Sequence, residues 1–218
     1  MIAIYGLKFI IFGGVLTILL ALWAAARDSF LLIITAAIVG LLTIFMLFFY
    51  RNPSRQVPDD DNLILAIADG RVLSVEKVDN AYIGGPAWKV SIFLSVLDAH
   101  INRIPIDGTI DYVKYNPGKF FPAFKEKASL DNEQTDIGLI CKAGRMIFKQ
   151  IAGIMARRIE YDLNNGQRVD GGRIFGMIHF GSRAELFIPE NVRIEVKPGD
   201  RVKAGESVIG RIVEGGGN

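Results

Sequence analysis

The stretch Arg51-Asn52-Pro53-Ser54-Arg55-Gln56-Val57-Pro58-Asp59-Asp60-Asp61-Asn62 separates two kinds of sequence. Two prolines and three successive aspartates stop any regular element, so 51–62 reads as a polar linker. Before it, residues 9–26 carry no charge, and residues 30–50 carry none either, with only Arg27, Asp28 and Ser29 between. About 20 apolar helical residues cross the core of a bilayer. Residues 1–50 are therefore expected to be a membrane anchor, a hairpin of two helices at 9–26 and 30–50. Two other readings stand beside it: a hairpin buried in a soluble core, and a signal peptide ending at Ala24-Ala25-Ala26. Lys8, Arg51 and Arg55 flank the outer ends of the hairpin, while Arg27 lies in its turn. The positive-inside rule then places the rest of the chain on the cytoplasmic side of the cell membrane.

Residues 63–218 have a different texture. Short β-type runs at 71–75, 89–96, 109–115, 147–151, 173–180, 185–188, 192–196 and 207–213 alternate with Gly, Pro, Asn and Asp turns. This spacing predicts a β-dominated (α+β) domain. A short helix is expected at 151–159 and an irregular loop at 120–130. That loop carries Phe120, Phe121, Pro122 and Phe124, which would either pack or touch a lipid surface.

Composition removes several function classes. Of 25 Lys and Arg and 23 Asp and Glu, only Lys8, Arg27 and Asp28 fall in the first 50 residues, so the remainder is nearly neutral. It offers no basic field for nucleic acid. Cys141 is the only cysteine, which excludes an internal disulfide and a multi-cysteine zinc site. His100 and His179 are too few for an all-histidine zinc centre. No metal is expected.

Two segments, 68–72 and 197–206, pair turns with strands as the hairpins of biotinyl and lipoyl carrier domains do. They suggest a flattened β-sandwich resembling a barrel-sandwich hybrid. A carrier would display a lysine at a hairpin tip, for which Lys203 is the nearest candidate. A membrane-anchored carrier or adaptor without chemistry is the alternative function, and a purely structural membrane protein is a third.

In Arg173-Ile174-Phe175-Gly176-Met177-Ile178-His179-Phe180-Gly181-Ser182-Arg183, a Gly-Ser pair sits in an apolar strand with no turn-forming partner. By itself it would mark a bulge or kink. Phe180-Gly181-Ser182-Arg183 resembles, however, the Gly-Ser processing site of the phosphatidylserine decarboxylase family in its short-form members. Other segments resemble the same family in order and spacing. They are Phe49-Tyr50-Arg51-Asn52-Pro53, Ala68-Asp69-Gly70, Ala99-His100-Ile101-Asn102-Arg103-Ile104-Pro105, Asn132-Glu133 and Gln150-Ile151-Ala152-Gly153.

The resemblance implies a precursor that cuts itself between Gly181 and Ser182 into a β chain, 1–181, and an α chain, 182–218. Ser182 becomes a pyruvoyl cofactor, whose ketone condenses with the substrate amine and accepts electrons as carbon dioxide leaves. The implied substrate is a serine phospholipid, phosphatidylserine or its ether analogue archaetidylserine. Asp69 matches the family aspartate of an Asp-His-Ser arrangement assigned to self-cleavage. Long forms have two histidines three residues apart. His100 matches the first and Arg103 stands at the second, so His100 is the candidate base, with His179 an outsider. In a regular strand His179 and Ser182 would face opposite ways. Arg103 and Arg183 are candidates for the lipid phosphate, with Arg51 and Glu133 of similar standing. The implied partners are the membrane, the phospholipid and the two chains of one precursor, with a homodimer conceivable.

Overall fold

The computed structural model describes residues 1–119, 132–153, 159–179 and 182–213 and divides into two compact units, Met1–Ser54 and Arg55–Asn218. The first unit is helical. α1 (Leu7–Arg27) and α2 (Phe30–Phe49) lie within two residues of the expected spans. Asp28 joins them with a left-handed φ of 46°, and the amides of Asp28 and Ser29 both reach the Ala24 carbonyl, which terminates α1. Small residues let the helices approach: a Cβ on Gly13 would come within 2.5 Å of Thr43 Oγ1. The Thr17 and Thr43 hydroxyls donate to carbonyls four residues back, at 2.7 and 2.8 Å, so neither needs water. Both helices are long and apolar enough to cross a bilayer, and Leu22, Trp23 and Phe30 are among many apolar side chains that they expose.

The second unit is built of strands. Numbered in chain order, one antiparallel sheet runs β13 (Arg201–Val202), β2 (Gly70–Asn80), β3 (Gly85–Leu94), β11 (Ser182–Pro189), β7 (Gly144–Ile151), β6 (Gln134–Cys141), β5 (Gly108–Asn116), β9 (Arg168–Val169). Two smaller sheets accompany it. One orders β1 (Leu63–Leu65), β14 (Val208–Ile212) and β12 (Val192–Ile194); the other orders β4 (Ile101–Arg103), β10 (Ile174–Ile178) and β8 (Ile159–Tyr161).

The eight-stranded sheet is curled into a half-barrel, and alternation along each strand decides its two faces. Paired residues share a face, so Val90, Ile92, Phe148, Ala184, Leu186 and Ile188 line the inside together. They form one core with Ile64, Phe175 and Ile209 from the smaller sheets and with Ile104 just after β4. The rings of Phe148 and Phe175, 5.0 Å apart and edge to face, join the large sheet to β10. Each such fully buried side chain contributes about 1.5–3 kcal/mol.

The β-dominated expectation holds, with local corrections. β6 was not expected, because its opening residues Gln134-Thr135-Asp136 are polar. The apolar run predicted as a strand at 173–180 ends at Ile178, and Ser182 opens β11 in a different sheet. Of the residues expected to be helical at 151–159, Ile151 ends β7 and Ile159 begins β8, while 154–158 lie outside the described residues. The loop at 120–130, with its three phenylalanines, also lies outside them. The two carrier-like segments pair with each other, Arg71 opposite Arg201 and Gly70 opposite Val202. Lys203 follows β13 in a turn and is bound to Glu206 at 3.0 Å.

Candidate active site

Register gathers residues far apart in sequence. Arg71, Phe93 and Arg183 form one row across β2, β3 and β11. One step further come Gly70 at the start of β2, with Asp69 just before it, Leu94 on β3, and Ser182, which pairs with Leu94. Gly70 is required here, because a Cβ would lie 2.1 Å from the Phe93 carbonyl oxygen. The chain leaving Leu94 turns at Ser95, whose amide and hydroxyl both donate to Asp98 Oδ2, at 2.8 and 2.7 Å. That turn delivers His100. Its carbonyl accepts the Ile178 amide at 3.2 Å, so His100 lies beside the end of β10, four residues before Ser182.

Ser182 and His100 are both fully buried. Ser182 shares the inner face with Ala184, hence with Gln150, which pairs with Ala184, and with Thr135, which pairs with Gln150. Its Oγ has no hydrogen-bond partner among the described residues. Gly181 and Phe180 lie outside those residues. Asn102, two places after His100, reaches into the same region: its Oδ1 accepts from Gln150 Nε2 at 2.9 Å.

Asp69 is held by two donors. Arg55 Nη2 donates to Oδ2 at 2.5 Å and the Ala204 amide to Oδ1 at 2.8 Å. Desolvation by burial raises its pKa above the ordinary carboxylate value, against the lowering effect of the Ala204 amide and Arg55, while the nearby Asp98 charge adds to the rise. Arg55 also approaches Glu206 Oε2 at 3.6 Å. Arg103 lies alongside, and its Nη1 donates to the Gly172 carbonyl at 2.8 Å. Burial and the neighbouring Arg55 charge lower its pKa from the usual guanidinium value.

Arg183 points the other way. Alternation puts it on the outer face, where it is only 4 % exposed. Its Nη2 donates to Ser91 Oγ at 2.8 Å and its Nε lies 2.9 Å from Glu185 Oε1, which Lys89 Nζ also approaches at 3.4 Å. A guanidinium engaged in this way is not offered to a lipid phosphate, so the geometry argues against that role. His179 is buried, with Nε2 3.4 Å from Glu160 Oε1. The opposite-face argument for it falls, because His179 and Ser182 belong to no common strand. Glu133 is buried, and its backbone bridges Lys119 and Ala152. Arg51 belongs to the helical unit and lies over the Phe48 ring, 4.1 Å from its centroid.

A family model described as phosphatidylserine decarboxylase matches residues 42–210, a range that contains Asp69, His100, Arg103, Gly181, Ser182 and Arg183. The chain belongs to the phosphatidylserine decarboxylase family. It is 42% identical over 212 residues to a phosphatidylserine decarboxylase proenzyme of Pelobacter propionicus, covering 97% of this chain and 96% of that protein. It is 44% identical to proteins of the same name from Salinibacter ruber, over 92% of this chain and 86% of the relative, and from Carboxydothermus hydrogenoformans, over 95% and 94%. Within this phosphatidylserine decarboxylase framework, three functional candidates escaped the sequence reading. Arg55 counted only as a flanking charge, Gln150 only as part of a matching segment, and Thr135 not at all. The available signal was alternation, which puts polar Gln150 in step with apolar Phe148 on the inward face.

Proposed function

We propose that the chain is a precursor that cuts itself between Gly181 and Ser182 and then decarboxylates a serine phospholipid to the ethanolamine phospholipid and carbon dioxide. The observation that carries this reading is the fully buried Ser182 hydroxyl, without a described partner, at the point where the chain passes from one sheet to another. Buried hydroxyls are normally satisfied, and one left open costs about 1–3 kcal/mol. Such a group is available for reaction.

In the cut, Ser182 Oγ gives its proton to a base and bonds to the Gly181 carbonyl carbon. The amide C–N bond breaks and the Ser182 nitrogen takes a proton, leaving an ester. Loss of the Ser182 Hα together with the Gly181 carboxylate then leaves dehydroalanine, and hydrolysis gives a pyruvoyl group and ammonia. His100 is the proposed base, and Asp69, positioned by Arg55, is its proposed carboxylate partner. The pyruvoyl group supplies an electron sink for the substrate Cα once the amine is bound. The residues around it fit that group, because the inner face is polar around Ser182 and its side chain is closed to bulk water. His100 donates the proton that replaces carbon dioxide on Cα. Arg103, at the rim beside Asp69, is the proposed phosphate contact.

The substrate tails, acyl esters in phosphatidylserine or isoprenoid ethers in archaetidylserine, are remote from the reacting carbon, so the same residues serve both. The apolar hairpin is assigned to the membrane with the β unit on the cytoplasmic side, where lipid arrives laterally. A denaturing gel with mass spectrometry tests the reading. Wild type should yield a fragment spanning 182–218 with a ketone-bearing first residue, and Ser182→Ala should stay full length and inactive. An active, uncut wild type would overturn it.

A further inference from the structure

The proposed chemistry leaves a buried amide and a buried hydroxyl unused. Gln150 on β7 and Thr135 on β6 are opposite each other in register, and both are fully buried on the inner face. Gln150 Nε2 donates to Asn102 Oδ1 at 2.9 Å and to the Glu160 carbonyl at 3.3 Å. Both neighbours are acceptors, so the amide is fixed with its nitrogen towards them. Its oxygen is therefore presented elsewhere. Gln150 Oε1 and Thr135 Oγ1 have no hydrogen-bond partner among the described residues, a state they share with Ser182 Oγ.

Gln150 pairs with Ala184, which places it diagonal to Ser182 on one face. Side chains so related stand about 7–8 Å apart, close enough for a small headgroup at Ser182 to reach Gln150, with Thr135 beside Gln150 on the next strand. An amide oxygen can only accept, so it calls for a donor, which the amine of a headgroup supplies. A hydroxyl can also donate, and so can serve a carboxylate.

We infer that Gln150 Oε1 and Thr135 Oγ1 form a subsite for an α-amino-acid headgroup, the amide oxygen accepting from its nitrogen and the hydroxyl donating to its carboxylate. The inference rests on Ser182 being the reaction centre. It gives the site a way to tell substrate from product. An ethanolamine headgroup keeps the nitrogen and lacks the carboxylate, so it retains the Gln150 contact and loses that of Thr135.

The test uses the purified, self-cut full chain in detergent with glycerophospho-L-serine or glycerophosphoethanolamine, read as ligand-dependent thermal shifts. Gln150→Leu should weaken both ligands by about tenfold, as loss of a hydrogen bond to a charged group does. Thr135→Val, nearly isosteric, should weaken the serine ligand by about tenfold and leave the ethanolamine ligand unchanged, with KM for the lipid rising in step. The extent of self-cleavage on a gel reports whether each variant has folded. Thr135→Val binding both ligands as wild type does would overturn the subsite, its polar atoms then merely holding water. If uncut wild type, or cut wild type shifted by neither ligand, is what appears, the decarboxylase reading itself fails and the subsite falls with it.

Discussion

The two faces of β11 treat buried polar groups in opposite ways. Outside, Arg183, Ser91, Glu185 and Lys89 are knit together at 2.8–3.4 Å by ion pairs and hydrogen bonds, although Arg183 Nε, 2.9 Å from Glu185 Oε1, makes no well-directed hydrogen bond. Inside, Ser182, Gln150 and Thr135 are equally buried, yet each keeps an atom without a described partner. A charge-paired network holds strands together and has little left to offer a ligand. Open groups lower stability and make sense only where something else completes them. The contrast assigns the outer cluster to the scaffold and the inner one to the site, within a single strand and one residue apart.

The largest effect expected from attacking this contrast is on the outer face. Arg183→Met leaves Glu185 buried without the guanidinium beside it, and should cost about 3–5 kcal/mol in urea unfolding. Self-cleavage should fall only as far as the folded fraction falls. A stable Arg183→Met protein that loses lipid affinity would break the division between the faces.

A smaller effect is expected at the end of the row. Arg55→Leu removes one of the two donors on Asp69, with a loss of about 1–3 kcal/mol. Its sharper signature is in pH. Burial already raises the Asp69 pKa, and losing the Arg55 charge raises it further, so the carboxylate is protonated up to a higher pH. The acid limb of the self-cleavage rate should therefore move upward in pH, measured on gels after pH jumps. An unmoved limb would detach Asp69 from the reaction.

The smallest effect serves as the reference for both. Lys77 and Glu190 meet at 2.6 Å, but their side chains are 58% and 44% exposed. Lys77→Ala should change stability by less than about 1 kcal/mol and leave self-cleavage untouched. A larger loss would mean that burial is not what separates strong from weak pairs in this unit.

The helical hairpin was legible because a long uncharged run is a one-dimensional property. The β character of the rest was legible from alternation and turns, since each strand buries one face. What alternation does not carry is the identity of the neighbouring strand. The Gly181-Ser182 pair carries no turn-forming neighbour, so nothing in the sequence marks it as lying between β10 and a strand of another sheet. Gln150 falls on an inward position, but a polar inward residue gains meaning only when its partners, Asn102 and the Glu160 carbonyl, come from another sheet. Arg55 meets Asp69 across a linker of no fixed period, and no spacing rule connects them. Ser182, His100 and Asp69 stood out through motif resemblance. The fold adds that Asp69 and Ser182 flank one strand end, at Leu94, from which the turn to His100 departs.

The topology also bears on what would follow a break before Ser182. The piece from 182 onward supplies β11, wedged between β3 and β7, and β14, which lies against β1, while β13 borders β2. It is a stave within the barrel wall. Severing the backbone would not release it: the two fragments should travel as one particle through a gel-filtration column in native buffer. Adding the shorter fragment back to a separately made longer one should fail unless both are refolded together.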